Sequence, residues 1–257
     1  MTPSRSTKPL SGWRVLVPRG GEWGNGIAAT LRQGGAVPVI APMINFASTE
    51  NADALAGAFE RLQAGAFDLL VVTSATTVDV LLSHEVRVPE KTRIVAVGET
   101  TGSALALAGY RVDFVPEQDN SARGLVKAWR SLAASGPALI PQSNVPEESL
   151  VSGLQALGVD AEFVTAYRTV GVPVAPEVAA DVASGRIGGI LITSGSVARQ
   201  IQEQLAPLPE GTIVAAIGPR TAFDARKAGI AVDAIAETRT ADALVEAFIE
   251  HVRSRPR

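Results

Sequence analysis

The side chains able to do chemistry in this sequence are mainly hydroxyls, and they cluster where apolar runs end. In VVTSATTVDV (71–80) a β-branched run stops at Thr73 and Ser74; in ILITSGSVAR (190–199) another stops at Thr193 and Ser194, with Ser196 just beyond. Two glycine-containing ends follow a common plan: VAVGETTGSAL (95–105), with Gly98, Thr100 and Thr101, and AAIGPRTAFDA (215–225), with Gly218, Arg220 and Thr221. A third pair of helix starts is expected behind DNSARG and TRTADA, with Ser121 and Thr240 as N-caps. Helix starts leave backbone N–H groups unpaired and carry partial positive charge, so they suit carboxylate or phosphate. Capping alone is a sufficient reason for any single Ser or Thr to stand there. Six such starts together point to a ligand bearing several negative groups.

Other chemistries find little support. The chain has no cysteine and two histidines, His84 and His251, far apart in sequence, so thiolate and histidine-based metal sites are not expected. Both histidines are expected at the surface. GGEWGNG (20–26) follows the first apolar run but is no GxGxxG fingerprint, and no GxxxxGK[ST] occurs. No histidine lies near a serine in a hydrolase-type motif. A net charge of −3 with a pI near 5.5 argues against a nucleic-acid partner. There is no run of 18 apolar residues to span a membrane, and the start MTPSRSTKPLSGW reads as a loose tail rather than a secretory signal. A cytosolic location is the default for a chain without cysteine.

The elements that must position these ends alternate along the chain. Strands are expected at 14–18, 37–40, 68–73, 93–97, 111–115, 138–141, 161–165, 188–193, 212–217 and 231–235. Their near-continuous Val/Ile/Leu character suits parallel strands covered on both faces, hence an α/β fold. Helices are expected at 24–34, 51–63, 76–83, 100–108, 121–134, 146–157, 175–184, 195–205, 219–228 and 240–252, several closed by glycine. The tryptophans, Trp13, Trp23 and Trp129, are expected in the core or at its edges. Self-similarity links the halves: Thr73/Thr193, Gly98/Gly218, Gly109/Gly229 and Val112/Val232 are each 120 residues apart. Residues 14–129 and 137–248 therefore read as two copies of one plan, that is, as two similar lobes. In doubly wound sheets ligands bind beyond the carboxyl ends of the strands, and a cleft between two lobes is the expected place.

Over nearly its full length, from about Val15 to Phe248, the sequence resembles uroporphyrinogen-III synthase. The resemblance is carried by VLVPRGGEWG, VVTSATTVD, VAVGETTGSALALAGYRVDFVPE, ALIPQSNVPEESLVSGLQALGVDAEFVTAYRT, ILITSGSVA and AAIGPRTAFDARKAGIAVDAIAETRTADALVEA, in that order. It implies two flavodoxin-like lobes, doubly wound parallel sheets with interleaved connectivity. One lobe would hold 1–38 plus 172–257 and the other 44–166, joined by a two-stranded hinge at 39–43 and 167–171. It further implies cyclisation of hydroxymethylbilane to uroporphyrinogen III, with loss of water and inversion of ring D, without metal or organic cofactor. A monomer is the default expectation, because no large spare apolar stripe is evident. Tyr167, in AYRT, matches the tyrosine that the family places at the cleft and becomes the expected general acid; an ordinary connecting-strand aromatic is the alternative. Arg19, Gln142 and Ser143 join the expected substrate contacts. The chain departs from the common pattern at Thr76, at Arg220 and in the acidic QSNVPEE stretch (142–148). The rival function is a non-catalytic tetrapyrrole- or carboxylate-sensing module of the same fold. A bilobed transport-type binding protein would ordinarily carry a secretory signal.

Overall fold

A computed structural model describes residues 8–116, 122–132 and 136–255. The chain forms two units, one running up to Asn45 and resuming at Val170, the other Phe46–Thr169. It therefore passes from one unit to the other twice.

Elements are numbered along the chain. Unit 1 contains β1 (Arg14–Val17), α1 (Gly21–Gln33), β2 (Val37–Ile40), α7 (Pro176–Ala183), β8 (Gly189–Ile192), α8 (Gly195–Leu205), β9 (Ile213–Ala216), α9 (Pro219–Lys227), β10 (Ala234–Ile235) and α10 (Ala241–Ser254). Its sheet is ordered β10-β9-β8-β1-β2, with every neighbouring pair parallel. Within the unit that is the order 5-4-3-1-2, the doubly wound arrangement of flavodoxin. Alternate strand residues serve opposite faces. Val15 and Val17 pack with Ile27, Leu31, Leu244 and Phe248 of α1 and α10, whereas Leu16 packs with Val182, Val197, Ile201 and Ala225 of α7, α8 and α9. Burial on both faces is why these strands carry continuous apolar runs.

Unit 2 contains most of β3 (Ile44–Ser48), α2 (Ala52–Gln63), β4 (Leu69–Val72), α3 (Ala75–Ser83), β5 (Arg93–Ala96), α4 (Glu99–Leu107), α5 (Ala122–Ala128), a 3-10 turn (Trp129–Leu132), β6 (Ala138–Ser143), α6 (Glu148–Ala156) and most of β7 (Ala161–Gly171). Its sheet is ordered β3-β7-β6-β4-β5. Leu70, Val72 and Ile94 face Leu55, Phe59, Leu62 and Leu81 of α2 and α3, while Leu69, Val71 and Val95 face Leu125, Trp129, Leu150 and Leu154. Apart from β3, this is unit 1's sheet with the chain order cyclically shifted. The likeness extends to single bonds. Asp113 Oδ2 accepts from the Ile94 amide and Asp233 Oδ2 from the Val214 amide, both at 2.8 Å.

Those aspartates explain two shortened strands. The expected strand 111–115 is reduced to one bridge, Val95 to Phe114, and 231–235 to the two residues of β10. In each, the carboxylate takes a donor that a longer ladder would use. Other differences lie at the crossings. The segment 39–43 is not a hinge strand: β2 ends at Ile40, and the crossing strand is β3, four residues further on, which periodicity did not reveal. The expected strand 161–165 continues through 167–171 as the single 11-residue β7. The helix expected over 121–134 ends at Ala128 and tightens into the 3-10 turn. At the amino end of β1, Arg14 and Arg186 each lie 2.6 Å from Asp181, and these bonds hold its carboxyl below the usual range.

Candidate functional site

In unit 2, all four residues of β4 are buried, and the run is released into α3 by Thr73 and Ser74. Ser74 is extended, and its Oγ accepts from the Thr77 amide at 3.2 Å, which satisfies one unpaired N–H of α3. The same Oγ lies 3.1 Å from Thr77 Oγ1 and 3.0 Å from the Tyr167 hydroxyl. Thr77, wholly buried, also reaches the Pro141 carbonyl at 3.5 Å.

A β-bulge aims Tyr167 at this spot. Gln142 pairs with Thr165, but Ser143 pairs with Tyr167, so β7 carries one extra residue, Ala166. Strict alternation would send Tyr167 to the sheet face opposite Val164 and Ala166. Instead all three belong to the cluster that contains α3. Phe46 of β3 meets the tyrosine ring edge-on, centroids 5.4 Å apart at 90°. Tyr167 is 8% exposed. Burial raises its pKa, and hydrogen bonds with the hydroxyls of Ser74, Thr76 and Ser143 pull it part of the way back. The phenol is therefore neutral near pH 7 and has a proton to give.

The remaining expected residues of unit 2 are less concentrated. Gly98 opens α4 at φ +86°, a conformation that side chains rarely adopt. Thr100 is exposed and Thr101 buried. Gln142 is buried at the end of β6. Ser143 Oγ accepts from the Val145 amide and donates to the Val145 carbonyl, closing its own turn. Ser121 lies outside the described residues.

Unit 1 repeats the caps with a different sequel. Ser194 accepts from the Val197 amide at 3.3 Å and starts α8; Thr240 does the same for α10 through the Ala243 amide. Thr193 is 7% exposed, and its buried Oγ1 has no hydrogen-bond partner among the described residues. Ser196 Oγ accepts from Arg199. The Arg19 guanidinium stands 4.8 Å from the Trp23 ring centroid, and local burial lowers its pKa without discharging it. α1 comes so close to Arg19 that a Cβ on Gly24 would sit 2.0 Å from the Arg19 carbonyl oxygen. Gly218 opens α9 in extended backbone, Thr221 is buried, and Arg220 Nε donates to Asp224 Oδ2 at 3.1 Å. Arg220, an expected substrate contact, is half-exposed and bonded within its own helix through Nε.

Of the expected residues, then, Ser74, Ser143 and Tyr167 come together. Thr77 and Phe46 belong with them but escaped sequence reasoning. Thr77 carried a signal, a Ser-x-x-Thr spacing that puts two hydroxyls in one helix turn; Phe46 carried none. A cavity of about 650 Å³ in unit 1 lies at the other end of the strands, lined by Gln202, Thr212, Asp233 and Arg255 among others, and holds no expected residue. Among the described residues, no three histidine, aspartate or glutamate side chains gather as a metal site, and no helix is long and apolar enough to cross a membrane.

These tips can be set beside known proteins. The Porphyrin biosynthesis protein HemD of Ruminiclostridium josui is 25% identical over 251 residues, covering 95% of this chain and 49% of that protein. The chain thus spans about half the length of that relative. The fold is shared with a mutant uroporphyrinogen III synthase from the extremely thermophilic bacterium Thermus thermophilus, at TM-score 0.66 and 18% identity, covering 95% of this chain and all of that one. It is shared too with uroporphyrinogen-III synthetase from Helicobacter pylori 26695, at TM-score 0.63 and 16% identity, covering 93% of this chain and 98% of that one. The sequence pattern of one family, described as uroporphyrinogen-III synthase HemD, matches residues 25–246. With most of its length matched by that pattern, the chain belongs to the uroporphyrinogen-III synthase HemD family.

Proposed function

We propose that this chain cyclises hydroxymethylbilane to uroporphyrinogen III, with loss of water and inversion of ring D. The observation that carries the proposal is Tyr167, a buried neutral phenol held 3.0 Å from Ser74 at the carboxyl ends of the strands, in a chain of this family. In the proposed reaction the phenolic O–H breaks and its proton goes to the hydroxymethyl oxygen of the substrate. The C–O bond then breaks, and its electron pair leaves with the oxygen as water. The pyrrole nitrogen lone pair stabilises the methylene cation left behind, a protonated azafulvene. Ring D attacks this carbon through its substituted position, giving a spiro intermediate; one bond to that ring breaks and re-forms at the other α carbon. The ring proton finally lost returns to the Tyr167 phenolate. The pyrroles supply the electrons, so the reading calls for no metal or organic cofactor.

General acid assistance is typically worth ~10²–10⁴-fold. Folding a flexible bilane so that ring D is presented correctly is work of positioning. The substrate carries four acetates and four propionates. We assign carboxylates of the substrate to uncharged donors at the carboxyl ends of unit 2's strands, beside Tyr167: the starts of α3 and α4 and the hydroxyls of Thr73 and Thr100.

The test is a coupled assay on freshly generated hydroxymethylbilane that separates the type III isomer from spontaneous type I. Type III formation, slowed by Tyr167→Phe, supports the proposal. Type I alone would leave the sensing module as the better reading.

A further inference from the structure

Counting protons in the hydroxyl cluster leads past the role of Tyr167 itself. Ser74 Oγ has one proton and two lone pairs, and the Thr77 amide occupies one lone pair permanently. Two arrangements satisfy what remains. In the first, Tyr167 donates to Ser74, Ser74 to Thr77 Oγ1, and Thr77 to the Pro141 carbonyl over a long 3.5 Å. In the second, Thr77 donates to Ser74 and Ser74 donates to Tyr167, which frees the phenolic proton from Ser74 for another acceptor, the Thr76 or Ser143 hydroxyl or a bound substrate. The second gives up only the long contact to Pro141, so the two lie close in free energy. In both, every proton and lone pair of Ser74 is engaged, and none is left for a substrate carboxylate.

We propose that Ser74, backed by Thr77, is a positioning residue whose hydroxyl rotates to free the Tyr167 proton and then donates to the phenolate once that proton has gone. This rests on the reading of Tyr167 as the acid. It removes Ser74 from the substrate-binding set in which sequence analysis placed it. The step balances simply. The Tyr167 O–H bond breaks, its electron pair stays on the phenolic oxygen, and the Ser74 and Thr77 O–H bonds remain intact while they reorient. Among the described residues, no charged group contributes to the phenol's setting: it is faced by the Ser74, Thr76 and Ser143 hydroxyls and the Phe46 ring, and the next residue on β7, Arg168, is paired with Glu50.

Three variants test this. Ser74→Gly removes the hydroxyl while keeping an acceptable N-cap residue; Thr77→Val removes the backing hydroxyl at constant shape; Ser74→Thr restores both hydroxyl and cap. The chain has two tyrosines, Tyr110 and Tyr167, so ring-labelled tyrosine gives two phenol resonances, which Tyr110→Phe assigns. Ser74→Gly is expected to move the Tyr167 titration upward by roughly one to two pH units, because a donor to the phenolate is lost. It is expected to lower kcat by roughly tenfold or more at unchanged KM. Thr77→Val should do the same more weakly, and Ser74→Thr should restore both readouts. A stationary Tyr167 titration in Ser74→Gly, or a raised KM at wild-type kcat, overturns the proposal and returns Ser74 to the carboxylate donors. Wild-type turnover in Tyr167→Phe would remove the acid and this proposal together. A slow Tyr167→Phe with a silent Ser74→Gly would sink the relay alone.

Discussion

Thr73–Ser74 in unit 2 and Thr193–Ser194 in unit 1 lie 120 residues apart and begin alike. Each follows four buried strand residues, each serine is extended, and each caps its helix through the amide three residues on. The two ends then part. At the third helical position unit 2 has Thr77 and unit 1 has Val197. Unit 2 also brings Tyr167 against its capping serine, whereas unit 1 leaves the Thr193 hydroxyl buried and, among the described residues, unpartnered. What the copies share is what any strand-to-helix turn needs. What they do not share is a phenol against the cap in one and, among the described residues, an unpartnered hydroxyl in the other. In a duplicated scaffold, function is sought where the copies differ.

The largest test of that comparison is Tyr167→Phe, expected to lower type III formation by about 10²–10⁴-fold with an unchanged unfolding curve. The pH profile sharpens it. The folded-state pKa of Tyr167 is raised, so the neutral phenol and any stability tied to it are complete below the pKa of an unfolded tyrosine. Both are lost as pH rises through the folded value. The alkaline limb of kcat should therefore lie above the ordinary tyrosine pKa, and disappear in Tyr167→Phe.

The glycine tips come next. Gly98→Ala forces a side chain into φ +86° and should cost about 1–3 kcal/mol of unfolding free energy. Gly218 is extended, and a Cβ there would meet Arg239 at an ordinary 3.5 Å, so Gly218→Ala should cost only about 0.5 kcal/mol, the loss of a good N-cap residue. Equal costs in denaturant titrations would show that the two tips are not distinct. Ser194→Ala should cost about 1 kcal/mol as a lost cap and leave the Tyr167 resonance in place; a moving resonance would contradict the asymmetry. Smallest is Thr193→Val, which replaces an unpartnered hydroxyl with a methyl. Stability should be unchanged or higher by up to about 1 kcal/mol, while KM rises if that hydroxyl binds a substrate carboxylate. A clear loss of stability would mean that the hydroxyl has a partner in the folded protein.

Much of this was legible from local pattern. Continuous apolar runs marked strands covered on both faces, and Thr240 was read as a cap and is one. The 120-residue repeat marked a duplication, but its copies, 14–129 and 137–248, are not the two units, which divide the chain after Asn45 and after Thr169. The edge strands were overread because Asp113 and Asp233 end the ladder from the side, an effect visible only once Ile94 and Val214 lie alongside. β3 was missed because INFAS has neither a continuous apolar run nor clean alternation.

The sequence by itself determined the parallel α/β architecture, the duplication and the capping serines, because burial periodicity and N-capping act within a few residues of chain. Only the tertiary structure decided that Tyr167 meets Ser74 and Thr77. That meeting depends on the register between β6 and β7, where the extra Ala166 turns the phenol onto α3's face. Pairing between strands is settled by contacts across the sheet, and a one-residue slip in it reverses every side chain without altering a letter of the local pattern.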